Sequence, residues 1–238
     1  MKINDKGFYL SSKAYGENLK ILYIFSFENG LVKGISRYSK NTKFSLVNLD
    51  RVLFSWSSRN KDGLGYLNVE LDDYSFDSNQ DYVSTLIKAS ASEVCLKCLP
   101  VWQKNSEIFY SLELLSSFLR EKYNFILKEY ILWEFSFLKF IGYGLNFDKC
   151  SVTGSTQDVF FISPKTGNSV CYSVGKKYEK KLFKIPSFMK DKSKEVSSED
   201  YILALNISSF FFEKFYDKDF RKMVFRNQLI NKIKTFNL

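Results

Sequence analysis

The stretch from Gly142 to Val170 constrains this chain most. It reads Gly142-Tyr-Gly144-Leu-Asn146-Phe-Asp148-Lys-Cys150-Ser-Val-Thr153-Gly154, then Val159-Phe-Phe-Ile162-Ser-Pro164-Lys-Thr-Gly167-Asn-Ser-Val170. Gly, Pro and Asn at this density end any helix and leave room only for short strands between turns. Directly before it, Asn124–Ile141 is apolar nearly all round, the pattern of a central buried helix. The chain must therefore pass from a buried helix into a small strand–turn–strand module, at about 146–172, that packs against it.

The module has the outline of a two-knuckle metal site without a full set of ligands. A structural zinc ion takes four thiolate or imidazole ligands, commonly from two CxxC pairs. Here Thr153 stands where the partner of Cys150 would be, Cys171 has no CxxC partner, and the chain has no His. Two thiolates cannot close a tetrahedron, so zinc is not expected, and no other cofactor is implied. Cys95-Leu-Lys-Cys98 has CxxC spacing on a predicted helix, where i and i+3 share a face. Those thiols could share a ligand or a redox site, but two small buried hydrophobes is the preferred reading.

The absence of His also removes the commonest general acid–base group and the Ser-His and Cys-His nucleophile pairs. No carboxylate cluster has metal-ligand spacing, and there is neither a GxGxxG nor a P-loop. The chain is not expected to be an enzyme. Four Cys in 238 residues do not make a disulfide scaffold. The N-terminus does not read as a signal peptide, and Phe125–Ile141 is interrupted by Lys128, Glu129, Glu134 and Lys139, so no bilayer span is expected. The expectation is a soluble cytoplasmic protein without a membrane partner.

Residues 5–80 read as short strands: Gly7–Ser12, Leu19–Phe27, Leu31–Arg37, Leu49–Ser57 and Gly65–Phe76. Asn29-Gly30 between two apolar runs is a strong hairpin signal, because both residues tolerate positive φ. Five such strands predict a small barrel, with an OB-fold leading. Residues 81–141 read as helices, Asp81–Cys98, Ser106–Tyr123 and Asn124–Ile141. After the module come a Lys-rich connector, Lys176–Lys194, and two helices, Asp200–Phe215 and Asp219–Phe236, with Asp200 and Asp219 near their starts. The fold class is thus α+β: an OB-fold domain over 1–80 and a helical domain over 81–238 carrying the degenerate zinc-finger-like insertion.

The formal net charge of +9 points to an anionic partner, although part of it reflects a composition rich in Lys. No acidic residue occurs from Asn29 to Asn48, while Lys33, Arg37, Lys40 and Lys43 are spread along that segment with Tyr38 and Phe44 interleaved. Cations on a barrel face track phosphates, and aromatic rings stack on bases. Arg59 and Lys61, in the turn before the last strand, extend the candidate set. The other reading is a solvated loop with ordinary barrel aromatics. The connector likewise reads as a flexible solvated linker or, alternatively, as a phosphate contact or an anchor for an acidic tail. Glu129 and Glu134 lie five apart in the apolar helix and do not share one face closely, and either one, if buried and ionised, needs a Lys or Arg partner elsewhere in the chain.

Three stretches resemble the RecO family of bacterial recombination mediators and DNA repair proteins. They are Gly7-Phe-Tyr-Leu-Ser-Ser-Lys13-Ala-Tyr15-Gly16-Glu17, the hairpin Phe25-Ser-Phe-Glu28-Asn-Gly30-Leu31-Val32-Lys33-Gly34, and the segment from Trp133-Glu134 through Gly142-Tyr-Gly144-Leu145, Asp148-Lys-Cys150, Thr153-Gly154 and Ser163-Pro164-Lys165-Thr-Gly167. The knuckle is similar to that of alphaproteobacterial members. The resemblance implies an OB-fold, a helical bundle and a zinc-finger-like insertion that has lost its metal in some members. It also implies binding of single- and double-stranded DNA, contact with RecR and with the acidic tail of single-strand binding protein, strand annealing, and help in loading RecA. A protein-interaction adaptor that binds acidic tails but not DNA is the competing expectation.

Overall fold

The computed structural model describes residues 1–37, 45–60, 63–72, 81–190, 196–215 and 222–235. The chain forms two compact units, Met1–Ile126 and Leu127–Leu238.

The first unit is built on a closed five-stranded barrel in the order β1-β2-β3-β5-β4. Its strands are β1 (Lys2–Ala14), β2 (Leu19–Ser26), β3 (Gly30–Arg37), β4 (Arg51–Ser57) and β5 (Gly65–Leu71). The expected barrel is therefore present. β1 is longer than the predicted Gly7–Ser12 because it serves two neighbours, pairing with β4 along Lys2–Phe8 and with β2 along Gly7–Ala14. β3 and β5 run parallel through Gly34↔Gly65 and Ile35↔Tyr66, and this contact completes the barrel. Alternation along each strand sends one set of side chains inward. Leu22, Ile24, Val32, Val52, Phe54, Trp56 and Leu67 fill the interior.

Two helices accompany the barrel. Asp81 caps α1 (Tyr82–Cys98) by accepting from the Val83 and Ser84 amides at 2.7 and 3.0 Å. Asn105 caps α2 (Ser106–Ser117) through the Ile108 amide at 3.0 Å. The predicted helix Ser106–Tyr123 ends earlier, in a single tight turn at Phe118–Arg120. The segment between α1 and α2 pins the β2–β3 hairpin. The Trp102 amide donates to the Leu31 carbonyl at 3.2 Å, and the Trp102 indole packs edge-on against Trp56 with centroids 4.7 Å apart. Gly30, at φ 68°, lies so close to Gln103 that a Cβ would meet its carbonyl oxygen at 2.0 Å. Both the turn and the close approach require Gly there.

The chain then enters α3 (Tyr123–Phe140), within which the boundary between the units falls. In the second unit α3 is joined by α6 (Ser198–Phe215) and α7 (Val224–Ile233). At the start of α6 the Ser197 hydroxyl accepts from the Asp200 amide at 3.1 Å, and the Asp200 carboxylate accepts from the Ser187 amide at 3.1 Å and its hydroxyl at 2.9 Å. Asp219 lies outside the described residues.

Glu134 is fully buried and finds its partner in Arg226, which donates from Nε to Oε1 and from Nη2 to Oε2, both at 2.8 Å. The hydroxyls of Tyr130 and Ser208 also donate to this carboxylate. Burial alone would lower the Arg226 pKa, but the adjacent Glu134 charge outweighs it and pushes the pKa up.

The module is a three-stranded sheet, β7-β6-β8, from β6 (Val159–Ile162), β7 (Ser169–Cys171) and β8 (Phe183–Lys184). The last strand comes from the connector, and this corrects the flexible-linker expectation. Through Lys190 the connector is folded, as α4 (Tyr172–Gly175), a 3-10 turn over Lys176–Lys181, β8, and α5 (Ser187–Lys190). Residues 191–195 lie outside the described set. The physical cause is apolar anchoring within a charged sequence. Gly175 sits where a Cβ would meet the Phe161 ring at 2.4 Å, and Leu182 packs on the Cys150–Phe161–Val170–Cys171 cluster.

Candidate nucleic-acid interface

Strand register decides which of the barrel's basic residues share a surface, because directly paired residues project to the same face. Three rows cross the outside of the barrel. Ser11, Tyr23 and Lys33 form one, and Lys13, Ile21, Ile35 and Tyr66 form the next. Leu19 and Arg37 begin a third. Lys13, Lys33 and Arg37 are exposed, and none has an acidic partner among the described residues. Tyr66 is 68 % exposed, and Tyr15, in the turn that follows β1, is 47 % exposed. Ile21, Ile35 and Tyr23 are half-buried between them.

The result is a face in which cations alternate with aromatic and aliphatic surface across four strands. The cations suit phosphates, the rings suit base faces, and the isoleucines offer dry contact area. Strands 2 and 3 and the adjoining 1–2 and 4–5 loops are where OB-folds take oligonucleotides.

Acidic groups of the hairpin and β1 lie at the other end of these strands, already engaged. Asp5 accepts from the Lys6 and Glu28 amides, each at 2.8 Å, and from the Asn29 side chain at 3.1 Å. Glu28 pairs with Lys104 at 2.6 Å. Glu17 is exposed in the turn between β1 and β2, and Lys13, Lys33 and Arg37 outnumber it, so this face keeps a net positive charge.

Of the residues singled out from sequence, Lys33 and Arg37 fall on this face, and Arg59 is exposed in the loop that leads into β5. Tyr38, Lys40, Lys43, Phe44 and Lys61 lie outside the described residues. Sequence reasoning missed Lys13, Tyr23 and Tyr66. Lys13 and Tyr15 were visible in the family-like first strand, but Tyr66 joins the face only through the parallel β3–β5 pairing, which leaves no local pattern.

The cysteines offer no competing site. Cys95 and Cys98 are buried in α1, and burial pushes the Cys95 thiol well up, with Cys98 adding to the rise. Cys150 sits in a tight turn, its amide donating to the Ser155 carbonyl at 2.8 Å and its carbonyl accepting from the Gly154 amide at 2.9 Å. Its burial raises the thiol pKa, but the Thr153 hydroxyl and the amides of Cys171, Thr153 and Val152 point at the sulfur and bring it down to about 6. Cys171 lies 3.8 Å from the Thr153 hydroxyl and 3.3 Å from that of Ser173. Val174, the position that would complete a second CxxC, packs into the apolar cluster instead. Among the described residues no group of three or more Cys, Asp or Glu could hold a metal ion. The residues present do not fit zinc.

Among the described residues, no helix is long and apolar enough to cross a membrane.

Comparison with known proteins agrees with this architecture. Residues 1–73 match the family described as "Recombination protein O N terminal", and residues 79–222 match "Recombination protein O C terminal". The chain is 30 % identical over 241 aligned positions to the DNA repair protein RecO of Ehrlichia chaffeensis, covering 98 % of each chain. It is 29 % identical to the RecO of Rickettsia bellii, covering 98 % of this chain and 97 % of that one. It is also 29 % identical to the RecO of Wolbachia pipientis subsp. Culex pipiens, covering 90 % and 91 %. A barrel followed by a helical region with a small sheet, matched over nearly its whole length, makes this chain a member of the RecO family of DNA repair and recombination proteins.

Proposed function

We propose that this chain is a cytoplasmic recombination mediator that binds single- and double-stranded DNA on the outer β1–β2–β3–β5 face of its barrel. It makes and breaks no covalent bond. Lys13, Lys33 and Arg37 neutralise phosphates, and Tyr66 and Tyr23 present rings to unstacked bases. Duplex DNA, whose bases are not free to stack, is held by the cations alone and so more weakly. Family membership supports the remaining steps: engagement of the acidic tail of single-strand binding protein, contact with RecR, strand annealing, and support of RecA loading.

The observation that carries the reading is the cross-strand row Lys13–Ile21–Ile35–Tyr66, flanked by Lys33 and Arg37. The test is a titration of labelled single-stranded and duplex DNA at about 50 and about 200 mM salt, with and without an acidic tail peptide. The reading expects DNA binding that weakens steeply with salt, with the single strand preferred. Peptide binding without DNA binding at the higher salt would make the chain a protein adaptor and overturn it.

A further inference from the structure

We propose that the lysine turn Lys176–Lys181 is a second nucleic-acid contact, which grips the phosphate backbone of a single strand and stacks Tyr178 on a base. It extends the DNA-binding reading of the barrel to a site in the other compact unit.

The turn is a built element and not a loose run of charge. Its entry is fixed by Gly175 lying flat on Phe161, and its exit by Leu182 in the apolar cluster and by β8 pairing with β6. The Ile185 amide donates to the Phe160 carbonyl at 2.9 Å and closes the far side. A surface held at both ends loses little conformational freedom on binding.

The 3-10 geometry sorts the side chains. With three residues per turn, positions i and i+3 eclipse one another. Lys177 therefore lines up with Lys180, Tyr178 with Lys181, and Lys176 with Glu179. Glu179 is drawn off by Lys184, at 3.0 Å. Lys177, Lys180 and Lys181 are all exposed, with no acidic partner among the described residues. Tyr178 stands beside them, 54 % exposed.

The flanking cations are held by rings. Lys176 lies 5.4 Å from the Tyr172 ring centre and Lys190 lies 4.3 Å from that of Phe160. From Lys176 to Lys190 there are six Lys and one Glu. Such a surface repels cations and attracts a polyanion. Closely spaced ammonium groups beside one exposed ring match a flexible polyphosphate chain with unstacked bases.

The test uses the full chain and three variants. The first is Lys177→Gln/Lys180→Gln/Lys181→Gln, the second is Tyr178→Trp, and the third is the barrel variant Lys33→Gln/Arg37→Gln. Each phosphate contact to a single strand contributes about 0.7 to the slope of log K against log salt. The lysine-turn variant should lose about 2 from the magnitude of that slope. Indole fluorescence of the Tyr178→Trp chain should quench on addition of single-stranded DNA by more than that of the parent, whose Trp56, Trp102 and Trp133 set the background, and this reports contact even if the triple variant folds poorly. An unchanged slope with no quenching, while the barrel variant loses affinity, would overturn the lysine turn and leave the barrel reading intact. Lysine-turn and barrel variants that both keep the parent's DNA affinity and slope, with no quenching at position 178, would overturn both. Loss of acidic-peptide binding without loss of DNA binding would also overturn the proposal.

Discussion

Replacing Arg226 by Met removes one half of the buried ion pair and tests how the second unit is held together. Arg226 donates twice to Glu134, and also to the Leu205 carbonyl, the Ser208 hydroxyl and the Ser209 hydroxyl. The two side chains are 3 % and 0 % exposed, so water cannot replace what is lost. With Arg226→Met, Glu134 keeps, among the described residues, the hydroxyls of Tyr130 and Ser208, too few donors for a buried carboxylate. Breaking one side of such a pair costs about 3–5 kcal/mol. For a chain of this size that lowers Tm by about 10 °C. The companion variant Glu134→Met/Arg226→Met removes both charges and should recover much of the loss, because a buried pair replaced by apolar groups of similar volume is often close to neutral. Urea denaturation followed by circular dichroism measures both. A loss under about 1 kcal/mol for Arg226→Met, or a double variant less stable than the single one, would refute the reasoning.

Gly30→Ala should destabilise the first unit by about 2–5 kcal/mol, since it combines a positive-φ penalty with a clash against Gln103. A urea midpoint equal to that of the parent would show that the hairpin tip is not pinned to that segment. Cys150 should titrate near pH 6, below the ordinary thiol range, and Thr153→Val should move it upward by removing one donor. Because the folded pKa is depressed, the thiolate's stabilisation is complete above the ordinary thiol value and is lost as pH falls through about 6. Ultraviolet thiolate absorbance against pH, with Cys150→Ser as the blank, reads both effects, and a Thr153→Val curve identical to the parent's would remove Thr153 from the knuckle.

The parts of the fold that were legible in the sequence are those set by neighbouring residues. Asn29-Gly30 announced the hairpin because its turn needs positive φ, and the apolar sweep of Asn124–Ile141 announced a buried helix. The ligand count at Cys150, Thr153 and Cys171 needed only spacing and the absence of His. What was not legible depends on residues far apart in the chain. Arg226 is the partner of Glu134 across 92 positions. Tyr66 reaches the candidate face through a parallel pairing with Ile35, and β1 is long because two different strands claim its two halves. The lysine run looked like a linker because its composition is that of one. Gly175, Leu182 and Phe183 fold it, and their anchoring role appears only once Phe161 lies beneath them. Charge was easy to count, whereas its placement on one face waited on register.

The most direct test of the central claim is the salt dependence of single-stranded DNA binding by the full chain and by Lys13→Gln/Lys33→Gln/Arg37→Gln, with Tyr66→Ala as a companion. Three lost phosphate contacts at about 0.7 each should reduce the magnitude of the log–log slope by about 2. Tyr66→Ala should weaken binding by about 1–3 kcal/mol at an unchanged slope, because stacking releases no counterions. A triple variant that keeps the parent's affinity and slope would contradict the account, and the barrel's outer face would then not be where this protein meets DNA.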